Sequence, residues 1–167
     1  MLSRHNFAVV ESLLDVEGVN PNCVFNDSKS STPLLVGIQN LDIVKVLLSH
    51  GADPNKPNVD GDTPLHWACS YGKLEIAKVL SGADANKTNK RNETPFILAC
   101  KHGDMPTIKW LIQEAGAKPN ASFHAFKAFF PALDRGLSAK ALLELGFDPR
   151  RPGEDGQRVC HMVVQES

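Results

Sequence analysis

The sequence has almost no net charge and no long apolar run, and each shortage removes a class of function. Eighteen Lys and Arg against nineteen Asp and Glu leave a formal charge of −1. No global basic field therefore exists to hold nucleic acid or an anionic membrane. No apolar stretch reaches the roughly 18 residues that membrane insertion needs, so none is expected. Met1 to Asn6 lacks the uninterrupted apolar core of a signal peptide. The four cysteines, Cys23, Cys69, Cys100 and Cys160, show no C-x-x-C spacing and no secreted-type framework. An intracellular setting, cytoplasmic or nuclear, is expected. Neither His-x-x-x-His, a phosphate-binding G-x-x-x-x-G-K-[ST] nor a G-x-S-x-G nucleophile elbow occurs, so no metal, no cofactor and no enzymatic activity are expected.

What is present is repetition. Thr32-Pro33-Leu34, Thr63-Pro64-Leu65-His66 and Thr94-Pro95-Phe96 recur 31 residues apart. Interleaved with them are Gly51-Ala52-Asp53-Pro54-Asn55, Gly82-Ala83-Asp84-Ala85-Asn86 and Gly116-Ala117-Lys118-Pro119-Asn120. Between the two series lie two short segments of helical periodicity. Leu65, Ala68 and Cys69 recur at i, i+3 and i+4, and Leu74, Ala77 and Leu80 follow a break at Gly72. Thr63 is placed to cap a helix with Pro64 at its first position, and Gly82 to end the second helix in a left-handed conformation.

With its core at Asp60 to Cys69 and Gly72 to Leu80, this pattern resembles the ankyrin-repeat family, whose unit of about 33 residues joins a β-turn to two helices and carries T-P-L-H-x-A. The resemblance implies an all-α solenoid of stacked helix-turn-helix units with β-hairpin-like connecting turns. Extended in weaker form to both ends, it divides a single domain, 1–167, into a partial repeat at 1–31, full repeats at 32–62, 63–93 and 94–121, a degenerate repeat at 122–154 and a truncated or capping repeat at 155–167. Phe7 to Leu14 stands for a leading second helix, Ala139 to Leu143 for a late one, and Asp155 to His161 aligns with Asp60 to His66. The first full unit lacks the usual glycine between its helices at Asn40-Leu41, and the second runs straight from Leu80-Ser81 to Gly82.

Stacked repeats bury their apolar faces against one another and leave an extended concave surface suited to another macromolecule. By resemblance, hairpin tips and first-helix ends contact the partner. The tip positions are Val59, Asp60 and Asp62, then Lys90, Arg91 and Glu93. The helix-end positions are Gln39 and Asn40, Ser70 and Tyr71, and Lys101 and His102. Aromatic and cationic residues anchor interfaces most often, which favours Tyr71, Arg91, Lys101 and His102. Asp60 and Asp62 mark one acidic tip, whereas Lys87, Lys90 and Arg91 mark a basic one, so the partner is expected to be a protein, with an acidic segment as its candidate contact. A monomer is expected. The alternatives are a substrate-recruiting segment of a larger enzyme, ubiquitin-ligase adaptor or pathogen effector, and, less favoured by charge, a nucleic-acid binder.

His66 and His161 fall at the T-P-L-H position, which in the family bridges backbone groups between units. Cys69 and Cys100 take equivalent small buried positions. Asn55 and Asn86 match the turn asparagine that asparaginyl hydroxylation can target in the family. Phe123 to Phe130 holds four of the eight phenylalanines, either as core of the degenerate repeat or as an exposed docking patch.

Overall fold

The 31-residue period of Thr-Pro pairs marks helix starts in the structure, a computed structural model that describes residues 12–16, 18–80, 82–102, 104–119, 133, 136 and 139–146. The segments Phe7–Val10, Phe123–Phe130 and Asp155–His161 lie outside the described residues. Among the described residues every regular element is helical. The chain divides into two compact units, Met1–Ala68 with Lys73–Asp84, and Cys69–Gly72 with Ala85–Ser167.

In the first unit, α1 (Pro33–Val36) begins at Thr32, whose Oγ1 accepts the Leu35 N–H at 3.3 Å, with Pro33 at the first helical position. A 3₁₀ turn, Gly37–Gln39, then leads to α2 (Leu41–Ser49). Asn40 explains how this repeat dispenses with an inter-helix glycine. It is extended (φ −125°, ψ 112°), and its Oδ1 accepts the N–H groups of Asp42 at 3.0 Å and Ile43 at 3.3 Å. An extended N-cap reverses the chain without a left-handed residue. At the far end of α2, His50 Nδ1 lies 2.8 Å from the Val46 carbonyl oxygen.

The next helix, α3 (Pro64–Ser70), contains the boundary between the units, and α4 (Leu74–Val79) belongs to the first. α1 packs on α2 and α2 on α4, burying Leu34, Leu35, Ile38, Val44, Leu47, Ile76 and Ala77. Each such large aliphatic side chain contributes about 1.5–3 kcal/mol when fully buried. Gly82 takes the left-handed conformation expected of it (φ +81°).

In the second unit, α5 (Pro95–His102) packs against α6 (Met105–Gln113), and α7 (Ala139–Glu144) buries Leu142. Asp104 caps α6 by accepting the Thr107 N–H at 3.3 Å and the Thr107 hydroxyl. Phe96, Ile97, Ala99, Ile108 and Leu111 form the core together with Cys69 and Cys100. Burial pushes the Cys100 thiol up to about 12. Burial first, then the nearby Asp104 and Cys100, pushes the Cys69 thiol up as well. Both are small hydrophobes held as thiols, as their repeat positions suggested.

Candidate interaction surface

The tips between helix pairs are built by one device, repeated. Asp27 Oδ1 accepts the N–H groups of Lys29 and Ser31 at 3.1 and 2.9 Å, and the Ser31 N–H is the main reason its carboxyl sits below the ordinary value. Asn58 Oδ1 does the same for Asp60 and Asp62 at 3.0 and 2.9 Å, and Asn89 Oδ1 for Arg91 and Glu93 at 2.9 Å each. The fourth residue of each turn, Ser30, Gly61 or Asn92, has positive φ (48°, 79° and 57°). Only at Gly61 does glycine remove the cost of that conformation. The motif carries no single letter, Asp27 being followed by Asn58 and Asn89, and its signal in the sequence is that 27, 58 and 89 keep the same 31-residue interval as Thr-Pro.

In the first unit the turn presents Val59, 42% exposed, and half-exposed Asp60, while Gln39 is exposed at the end of the 3₁₀ turn. Two expectations need correction there. Asp62 is only 6% exposed, because the turn folds it inward, and so it offers no contact surface. Asn40 spends its side chain on capping α2. Lys29, which no local sequence signal marks, has its ammonium 5.3 Å from the centroid of the Trp67 ring, within cation–π range.

In the second unit, Tyr71, Lys90, Arg91 and His102 are exposed and Ser70 and Lys101 half-exposed. Glu93, expected to touch the partner, is instead 8% exposed, and this is a third correction. Its Oε1 accepts from Lys101 Nζ, and its Oε2 accepts from Arg91 Nε at 2.9 Å and Asn89 Nδ2 at 3.3 Å. Burial alone would push this carboxyl up; the bonds from Lys101, Arg91 and Asn89 outweigh it and hold it below its ordinary value. The side chains of Arg91 and Lys101 remain 61% and 42% exposed. The acid is thus hidden beneath two cations.

Beside them His102 lies against Gly72. A Cβ built on Gly72 would fall 2.5 Å from His102 Nε2, and Gly72 has φ +61°. Both the backbone conformation and the close approach favour glycine here, and they set the imidazole beside the backbone next to Tyr71.

His66 is fully buried; its Nδ1 accepts the Thr63 N–H at 3.2 Å and lies 2.7 Å from Thr63 Oγ1. An acceptor Nδ1 leaves the ring proton on Nε2. The turn asparagines form a ladder. Asn22 Nδ2 donates to Gly51 O at 2.9 Å while Oδ1 accepts the Asp53 N–H at 2.7 Å. Asn55 bonds Gly82 O and the Asp84 N–H, both at 2.8 Å. Within the second unit, Asn86 bonds Gly116 O at 3.0 Å and the Lys118 N–H at 2.8 Å. Each amide thus fastens one turn to the next.

Among the described residues no group of three His, Cys, Asp or Glu side chains could hold a metal ion, and no helix is long and apolar enough to cross a membrane. The chain matches a family model for ankyrin repeats (3 copies) over residues 1–89 and one for ankyrin repeats (many copies) over residues 79–112. It is 40% identical over 75 residues to alpha-latroinsectotoxin-Lt1a of Latrodectus tredecimguttatus, which covers 43% of this chain and 5% of that protein. Two fowlpox virus (strain NVSL) proteins named for ankyrin repeats also match. FPV222 is 44% identical over 50 residues, or 30% of this chain and 7% of that protein. FPV223 is 42% identical over 40 residues, or 24% and 28%. The chain matches less than a third of the length of each of these relatives.

Proposed function

We propose, from the premise that the chain belongs to the ankyrin-repeat family, that its second unit binds an acidic segment of a partner protein through Tyr71, Lys90, Arg91, Lys101 and His102. Ankyrin repeats are generally modules for protein–protein interaction and generally non-catalytic. The observation that carries the finer reading is the buried Glu93 beneath two cations that stay open to solvent. Two cations against one carboxylate leave a single net positive charge, and because the carboxylate is the buried member, a partner approaching this face meets the cations first, with an exposed tyrosine and histidine in the same unit. Aromatic and arginine side chains of this kind anchor interfaces, and positive potential accelerates encounter with an acidic chain. Ser70 borders the same set. In the first unit, Gln39, Val59 and Asp60 are the corresponding positions, without a cationic cluster.

The test is the association rate of the protein with a fluorescein-labelled oligoglutamate peptide across a sodium chloride series. Arg91→Glu with Lys101→Glu should slow association by about ten-fold or more at low salt and flatten its salt dependence. An unchanged rate and slope would refute the surface. A duplex DNA that competes with the peptide at low salt would favour the nucleic-acid alternative.

By family resemblance, Asn55 and Asn86 remain the proposed sites of asparaginyl hydroxylation, and peptide mass spectrometry of natively expressed protein tests this. Both amides already bridge two turns.

A further inference from the structure

Two of the three Asx turns end in a buried acid, and the two acids differ by one methylene. In the turn 58–62, the Asp62 carboxylate does not bond Asn58 Nδ2, which is buried without a hydrogen-bond partner. In the turn 89–93, the longer Glu93 does reach back, bonding Asn89 Nδ2 at 3.3 Å and Arg91 Nε at 2.9 Å through one oxygen and Lys101 Nζ through the other. We infer that Glu93 is a positioning residue that makes Arg91 and Lys101 act as a single two-cation unit toward carboxylates of the partner, an inference that rests on the reading of this face as a surface for acidic segments.

The argument is one of pre-organisation. Arg91 follows the turn asparagine by two residues and Lys101 sits in the last turn of α5, and one buried carboxylate binds both. Long cationic side chains lose rotamer freedom when they dock, and a side chain already held loses less. An ammonium has three donors, and among the described residues Glu93 is the only hydrogen-bond acceptor of Lys101, which leaves donors to face a ligand. The two cations also share one counter-charge. When either is removed, Glu93 neutralises the other, so each depends on its neighbour.

Affinity for the labelled oligoglutamate peptide, measured by fluorescence anisotropy, tests this with a double-substitution cycle. In the otherwise unaltered protein, Arg91→Ala and Lys101→Ala should each weaken binding by about five-fold, and the pair together by little more than either alone. Glu93→Asp keeps the net charge but shortens the reach. It should weaken binding several-fold while the melting temperature of the free protein stays within a few degrees, and in that background the two alanine effects should multiply. Glu93→Gln supplies a second background with the same expectation for the cycle. A role confined to stability would leave the coupling untouched. Multiplying effects in the unaltered background, or peptide binding by Glu93→Asp equal to that of the unaltered protein, would overturn the inference while leaving the surface standing. If neither alanine substitution changes affinity, the surface itself is refuted and the inference falls with it.

Discussion

Replacing Asn55 by alanine removes both rungs that fasten its turn to the next one, the donation to Gly82 O and the acceptance from the Asp84 N–H, each 2.8 Å long. Both backbone groups are near solvent, so water can replace the lost partners and the full penalty of a buried orphan does not apply. Two net hydrogen bonds of this kind amount to about 1–2 kcal/mol. In a chain of this size that lowers the melting temperature by about 3–6 °C. Urea unfolding followed by far-ultraviolet circular dichroism should move its midpoint by about 0.5–1 M, taking a slope of about 2 kcal/mol per M. Asn55→Asp should cost at least as much, since it can still accept from Asp84 but sets a carboxylate against the Gly82 carbonyl. A midpoint shift below about 0.2 M for Asn55→Ala would mean that the rungs exchange freely with water, and the ladder would then carry no share of the stacking stability.

Three further outcomes are expected. Gly72→Ala should destabilise by about 1–3 kcal/mol, since alanine must adopt φ +61° and its Cβ must displace His102; adding His102→Ala should recover the steric part only, as paired urea titrations would reveal. In a Cys160→Ser background, a thiol reagent should label Cys23 rapidly in the folded protein and reach Cys69 and Cys100 only on unfolding, because Cys23 is exposed and the other two are buried; fast labelling of either buried thiol would contradict that burial. Glu93 has a folded-state pKa below its ordinary 4.5, so its contribution is present above that value and is lost as pH falls through the depressed one. The stability difference between the unaltered protein and Glu93→Gln should therefore be constant near neutrality and shrink in acid, and a difference that grows with acid would reverse the sign.

Local signals made the helix pairs legible in the sequence. Threonine caps, proline at the first helical position and glycine after the last act within a few residues, so the Thr32, Thr63 and Thr94 starts and the Gly82 stop could be read directly. Burial of tip residues was not legible, because Asp62 and Glu93 are charged and their inward turn depends on Asn58 and Asn89 accepting two backbone N–H groups each. Asn40 read as a contact residue for a similar reason; the missing glycine between its helices was visible, but the capping that replaces it depends on the 3₁₀ turn before it. The approach of His102 to Gly72 joins residues 30 apart and has no local signature at all. In the candidate surface, the exposed cations could be anticipated from repeat alignment, whereas the hidden acid that holds them could not.

The claim that this chain takes an acidic segment at the second unit is tested most directly by titrating ¹⁵N-labelled protein with unlabelled oligoglutamate peptide and following backbone amide shifts. The expected result is a single saturable set of changes centred on Tyr71, Gly72, Lys90, Arg91, Lys101 and His102, abolished by Arg91→Glu with Lys101→Glu. Saturable changes centred instead on the exposed lysine of α6, Lys109, or small changes that never saturate, would contradict it.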